Sequence, residues 1–183
     1  MGKRKFLKAT DPKRLERQAH EIYTSIKKAI PKIPFKTEVD SEEVLFFKGY
    51  NGIKAIYEEM LNSSNEGDEF LIIGARGGED VSIKTYRNFF KNYNDRRIKK
   101  RIIQKIIMDL ELKKQIGDYY NNLKFTRVKY LDQKTLAPIV IFPKAIGIVQ
   151  WKEEPTLYLM KGKLIVESFK QYFDVLWKAA KFL

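Results

Sequence analysis

The stretch of this chain best suited to hold a small anion or a pair of hydroxyls is Gly74-Ala75-Arg76-Gly77-Gly78. Glycines leave backbone N–H groups uncovered, and a guanidinium offers a planar fork of donors. Two other stretches bring polar groups to what read as strand ends, Lys48 to Gly52 and Met108-Asp109. Tyr50 can stack on a sugar face, Asn51 can donate and accept, and Asp109 can accept from hydroxyls. The expected ligand site is therefore Tyr50, Asn51, Arg76, Gly77, Gly78 and Asp109, taking a small polar, sugar-like molecule. The same residue types also cap helices and close turns, and Gly77 and Gly78 are equally suited to a bare turn.

Much other chemistry is missing. The chain of 183 residues has no cysteine and one histidine, His20. Thiolate metal sites and histidine-assisted nucleophiles are therefore not expected. Glu79-Asp80 and Glu153-Glu154 lie in or near turns, where adjacent acids are usually solvated. Neither a Walker pattern nor GxGxxG occurs, since Gly74 to Gly78 has neither the spacing nor the lysine. No metal and no cofactor are expected, and the residues read as those of a binding protein rather than an enzyme.

The elements that must position these groups follow from the apolar pattern. Phe70 to Ile73 is an unbroken apolar run ending in glycine, the mark of a strand buried on both faces. A helix from about Asp80 follows, with Tyr86, Phe89, Phe90 and Tyr93 as its apolar stripe. Strand, glycine turn and helix make the connection of a parallel α/β sheet, in which ligands bind at the carboxyl ends of the strands. Further strands are expected at Val44 to Phe47, Ile102 to Met108, Phe125 to Leu131 and Leu157 to Met160. Ile139 to Phe142 and Ala145 to Trp151, split by Pro143-Lys144, read as a hairpin. A helix after Gly49-Tyr50-Asn51-Gly52 should bury Ile53, Ile56, Tyr57, Met60 and Leu61. Leu110 to Leu123 reads as a polar helix. A last helix, through Ile165, Phe169, Tyr172, Phe173, Leu176, Trp177 and Ala180, should close the core.

The first segment is different. Residues 1–36 carry a net +8 of the chain's formal +13. Asp11-Pro12 suits a helix start. Leu15, Ala19, Ile22, Ile26, Ala29 and Ile33 then recur at 4-3-4-3-4, a coiled-coil-like seam that Pro31 and Pro34 bring to an end. A helix this short is marginal alone, so the seam should pack on a second copy or on its own domain. The division expected is a basic linker with this helix at 1–36 and an α/β domain at 37–183. No apolar run approaches a membrane span, no signal peptide is evident, and a cytoplasmic protein is expected.

Several stretches, in order and spacing, resemble the TrmB-type transcription regulators: GKRKFLKATDP (2–12), LFFKGYNGIKAIYEEML (45–61), FLIIGAR (70–76), RRIKKRIIQKIIMD (96–109), IVIFPKAIGIVQW (139–151) and ESFKQYFDVLWKAAK (167–181). The family often has Gly where this chain has Arg101. The resemblance implies an α/β fold, a phospholipase D-like mixed sheet flanked by helices and preceded by a linker and dimerisation helix. It also implies a sugar-sensing domain, and DNA contacted through a winged helix that would precede Gly2. The chain is then a sensor fragment or a stand-alone relative. Active phospholipase D relatives need His-x-Lys shortly before the hairpin, where Leu136 to Ile139 offers Leu, Ala, Pro and Ile.

The expected function is the effector-sensing, dimerising and non-catalytic domain of a TrmB-like regulator. The alternative is a stand-alone basic nucleic-acid-binding protein using residues 1–36 and Arg96 to Lys105. A phospholipase D-type phosphodiesterase is a third reading, against which the single histidine counts. The seam gives a first prediction. In sedimentation analysis Ile22→Glu and Ile26→Glu should shift a homodimer toward monomer, and a wild type already monomeric at roughly tens of micromolar would place the seam on its own domain.

Overall fold

A computed structural model describes residues 12–29, 42–75 and 83–183. The chain divides into two units, Met1–Val39 and Asp40–Leu183. In the first, helix α1 runs from Pro12 to Ala29, with Leu15 and Ile22 of the expected seam more than 60% exposed and Ala19 exposed as well. The side chains of Ile26 and Ala29, and all of Ile33, lie outside the described residues.

The second unit is built on a seven-stranded mixed sheet in the order β1-β7-β6-β5-β2-β3-β4. Its strands are β1 (Glu43–Lys48), β2 (Glu69–Ile73), β3 (Ile103–Asp109), β4 (Thr126–Leu131), β5 (Ile139–Ile141), β6 (Ala145–Gln150) and β7 (Thr156–Lys161). β2, β3 and β4 are parallel, as the strand–helix alternation requires. β5 is antiparallel to β2, and β5, β6 and β7 form a meander whose last strand pairs antiparallel with β1. The sheet is therefore mixed rather than parallel, with the β5–β6 hairpin where the Pro143-Lys144 break puts it. β1, β2, β3, β4 and β6 all point the same way, so Lys48, Ile73, Asp109, Leu131 and Gln150 end at one edge of the sheet.

Helices α2 (Gly49–Ser63) and α3 (Ile83–Lys99) cover one face. α2 buries Ile53, Ile56, Tyr57, Met60 and Leu61, the five positions its periodicity marks. From α3, Phe90 and Tyr93 enter the same core, with Phe89 packed partly buried against it. There Tyr57, Phe70, Phe90 and Phe142 meet edge to face, Phe70 and Phe142 with centroids 5.1 Å apart, the geometry that aromatic quadrupoles favour. The other face is closed by α5 (Lys163–Ala179), which sets Val166 and Phe173 against Leu71, Ile73, Ile107, Ile141 and Ile146. Tyr172, expected on that buried face, is 61% exposed, because its position in the helical repeat falls on the flank. The polar helix expected at 110–123 is broken instead: a 3-10 turn at Leu110–Leu112, a π turn at Lys113–Gly117 and a single α turn, α4 (Asp118–Asn121).

The crossing from α3 into β3 is fixed by a buried cation. Arg97 is wholly inaccessible to solvent. Its Nη1 donates to the carbonyls of Ile102 (2.7 Å) and Phe125 (3.1 Å), and its Nη2 to Thr126 Oγ1 (2.7 Å) and the Lys124 carbonyl (3.4 Å). Burial lowers the guanidinium pKa, but an arginine stays charged at any ordinary pH. Arg101 and Phe125 beside it have φ of 54° and 55°, the left-handed region where glycine is favoured. At Arg101 the backbone thus accounts for the glycine that the resembled family often carries there.

Truncating Arg97 removes a donor from four oxygens, although the Phe125 carbonyl keeps the Gln104 N–H and the Lys124 carbonyl keeps the Thr126 hydroxyl. Arg97→Met should lower the unfolding free energy by about 3 kcal/mol or more in urea titration. Arg97→Lys should recover only part of this, since a single ammonium cannot reproduce the fork. A loss below about 1 kcal/mol in Arg97→Met would contradict the clamp.

Candidate functional site

Because five strands end together, the turns after them share one edge of the sheet. At the end of β2, Gly74 has φ of 71°, and its N–H donates to the Ile107 carbonyl at 2.7 Å. A Cβ built on Gly74 would overlap the Thr135 side chain, so the position is closed to other residues by both conformation and space. Thr135 in turn is held by Asp109 at the end of β3. Its N–H donates to Asp109 Oδ2 and its hydroxyl to Oδ1, each at 2.9 Å. Gly74, Asp109 and Thr135 therefore lock the 132–138 loop over the carboxyl ends of β2 and β3. Chain from this frame leads directly into Arg76, Gly77 and Gly78, which lie outside the described residues, as do Glu79 and Asp80.

The other expected site residues are placed as follows. Asp109 is fully buried, with its two oxygens turned to Thr135, so it frames the loop instead of presenting an open carboxylate. Tyr50 is half-buried, its ring 5.8 Å from that of Phe89 and 6.3 Å from that of Trp151. Asn51 is exposed in the first turn of α2. The ends of β1 and β3 are five strand spacings apart, roughly 24 Å at the usual separation, so the structure does not gather Tyr50, Asn51 and Asp109 around one small ligand. Thr135 and the Phe89–Trp151 pair were missed by sequence reasoning. Thr135 stands in a polar loop with no periodic signal, and aromatic residues at helical or strand spacing read simply as core.

A second concavity lies between α2 and α3, lined by Lys54, Glu58, Asn88, Asn92 and Arg96 above Tyr57 and Tyr93. Its volume is about 140 Å³, below the several hundred Å³ typical of small-molecule sites. Burial pushes both tyrosine hydroxyls well above their ordinary pKa, which keeps them protonated at ordinary pH. Among the described residues no group of three or more His, Cys, Asp or Glu could hold a metal ion. His20 is exposed on α1, and Glu154 pairs with Lys48 at 2.7 Å.

The basic stretch offered to nucleic acid by the alternative reading is largely engaged within the fold. Arg96 forks onto both oxygens of Glu58, and Arg97 is the buried clamp. Lys100 Nζ donates to the carbonyls of Leu61, Asn62 and Ser64, closing the end of α2. Arg101 pairs with Glu66 at 2.9 Å and Lys105 with Glu69 at 2.6 Å. These partners, more than the helix dipole, account for the cluster.

The sequence matches no protein-family model and no curated protein. Solved structures do match. TrmBL2, an archaeal chromatin protein, is similar over 93% of this chain and 65% of its own, at 18% identity and a TM-score of 0.52. NucT from Helicobacter pylori is similar over 78% of this chain and all of its own, at 12% identity and a TM-score of 0.60. Nuc from Salmonella typhimurium, a phospholipase D family member, is similar over 77% of this chain and 97% of its own, at 11% identity and a TM-score of 0.55. The chain thus has the phospholipase D-like α/β fold expected, and it spans about two thirds of the length of TrmBL2. One expectation is overturned here. The reading that the chain is not an enzyme fails, because its globular unit shares its fold with a phospholipase D family member, so enzymatic activity is compatible with this architecture. Among the described residues no helix is long and apolar enough to cross a membrane.

The Arg96–Glu58 pair gives a pH prediction. Hydrogen bonds from Arg96 hold the Glu58 carboxyl below its ordinary pKa of 4.5. A lowered carboxyl pKa stabilises the fold above the unfolded value, and that contribution is lost as pH falls through the folded one. Both side chains are partly exposed, so Glu58→Gln should cost only about 0.5–1 kcal/mol at pH 7. In thermal melts the difference from wild type should vanish as pH drops below about 4. A difference that persists at pH 2 would mean that packing, not charge, is lost.

Proposed function

We propose that this chain is the effector-sensing and dimerising part of a TrmB-like, DNA-binding regulator, working in the cytoplasm and responding to a small polar, sugar-like molecule. The observation that carries this reading is one of extent. The unit Asp40–Leu183 makes up 144 of 183 residues, or 79% of the chain, and the likenesses to NucT and Nuc span about that much. The likeness to TrmBL2 spans 93%, so it runs on into the first unit, which contains α1. TrmBL2 shows a novel mode of DNA binding. DNA is accordingly the proposed macromolecular partner, met through a winged-helix region outside this chain, with α1 supplying the homodimer seam.

The effector is proposed to sit at the ends of β2 and β3. Gly74, Asp109 and Thr135 hold that edge rigid, a favourable base for a binding loop. The next residues along the chain, Arg76, Gly77 and Gly78, bring a fork of donors and uncovered amides. Arg76 is the proposed contact residue, since a guanidinium set between glycines in the sequence offers donors with no neighbouring side chain to satisfy them. Tyr50 and Asn51 belong to a separate corner of the sheet, by Phe89 and Trp151, and take no part in the same contact.

A charge-assisted hydrogen bond is worth about 1.5–3 kcal/mol, so Arg76→Ala should weaken effector binding roughly ten- to a hundredfold. The measurement is a thermal-shift titration against a panel of mono- and disaccharides, followed by calorimetry on any that bind. Without ligand the melting temperature should barely move. Unchanged affinity in Arg76→Ala, for a sugar that clearly binds wild type, would remove the site from this edge.

A further inference from the structure

The two outer strands of the sheet are finished in opposite ways. An open strand edge offers unpaired N–H and C=O groups to any extended chain, and proteins normally blunt it with charge, proline, a bulge or a cover. β4 is blunted. Tyr130 exchanges backbone hydrogen bonds with Lys181 (2.8 and 3.0 Å), Arg127 is exposed along the strand, and Lys129 reaches over the rings of Trp177 and Phe182 at 5.0 and 4.9 Å. β1 has neither proline nor bulge, and its charges, Glu43 and Lys48, stand only at its two ends. Its six residues pair with β7 without a bulge, and among the described residues no strand pairs with its outer edge. Leu45 and Phe47 turn inward to the first core, leaving Val44 (75% exposed) and Phe46 (56%) on the opposite face. Phe46 continues onto Tyr158 of β7, itself 40% exposed, with ring centroids 5.2 Å apart.

We propose that the outer edge of β1 docks the β1 of a second copy of this chain, antiparallel and centred on Leu45, joining the two sheets into one. The occupant follows from the charge order along the strand. A two-fold axis normal to the sheet keeps each face on its own side only if paired residues share a face. Centring on Leu45 then sets Val44 opposite the partner's Phe46, Glu43 opposite the partner's Phe47, and Glu42, the residue just before the strand, opposite the partner's Lys48. The exposed apolar pair is covered twice, and opposite charges meet at both ends. Parallel pairing would set Glu42 against Glu42 and Lys48 against Lys48. Centring on Phe46 would set Val44 against Lys48 and lose both ion pairs. Lys48 already pairs with Glu154, but both side chains are 59% exposed and that contact is weak enough to share. This surface belongs to the globular unit and depends neither on the α1 seam nor on the effector reading.

Because the chain contains no cysteine, introduced thiols report the register directly. Full-length Val44→Cys and Phe46→Cys proteins, each also carrying Ile22→Glu to disable the α1 seam, are oxidised mildly, alone and mixed. Expected is several-fold more cross-linked dimer in the mixture than in either alone, because only residues 44 and 46 stand opposite each other. In parallel, Phe46→Lys alone should lower the sedimentation mass of the wild-type assembly, with an unchanged circular-dichroism spectrum showing that the fold is kept. The proposal is overturned if the mixture cross-links no better than the single variants, or if one variant alone cross-links best. It is overturned equally if Phe46→Lys leaves the wild-type sedimentation mass unchanged.

Discussion

The buried guanidinium of Arg97 is the constraint on which the parallel half of the sheet depends. A cation taken out of water needs hydrogen-bond acceptors in a fixed geometry. Here they come from the turn into β3 and the turn into β4, through Ile102, Lys124, Phe125 and Thr126. Both strands therefore start level with the end of α3, and their register carries that alignment along the sheet, Gln104 beside Thr126 through to Asp109 beside Leu131. The left-handed residues Arg101 and Phe125 show the backbone bending to meet this demand. At the far end the same register delivers Asp109 to Thr135 and leaves Gly74 beside them. The clamp at one edge of the sheet thus sets the frame at the other.

This arrangement separates two uses of positive charge. Arg96, Lys100, Arg101 and Lys105 spend their charge inside the globular unit on carboxylates and carbonyls. The net +8 of residues 1–36 is the larger share of the chain's excess, so long-range attraction to an anionic partner originates mainly there. A charged first segment beside a globular unit with a framed strand edge is what the proposed coupling of a small molecule to a DNA-bound assembly would use.

The sheet was legible because its strands are short apolar runs bounded by glycine, proline or polar turns. β2 gains only Glu69 over the expected Phe70 to Ile73, and α2 buries the residues its spacing marks. The mixed order was not legible from pattern: β5 is three residues long, and nothing in Ile139-Val140-Ile141 says that it enters antiparallel beside β2. The segment 110–123 reads as one helix by composition, yet the backbone breaks into three turn types, with Gly117 close against the Tyr130 hydroxyl. At the candidate site the strand-end rule picked turns that do share one edge of the sheet, but it did not reveal the pairing across that edge. Asp109 looked like a ligand acceptor because its partner Thr135 is 26 residues away in a loop without periodicity. The basic stretch looked surplus for the same reason: Glu58, Glu66 and Glu69, its carboxylate partners, are more than thirty positions upstream.

The central claim is that a small polar effector binds at the carboxyl ends of β2 and β3. Amide hydrogen exchange on the full chain, with and without the saccharide that raises its melting temperature most, tests it directly. The account predicts added protection in residues 74–82 and in the 132–138 loop, with α5 and β1 unchanged. Protection confined to α5, to the β5–β6 hairpin or to the α2–α3 cleft would contradict it.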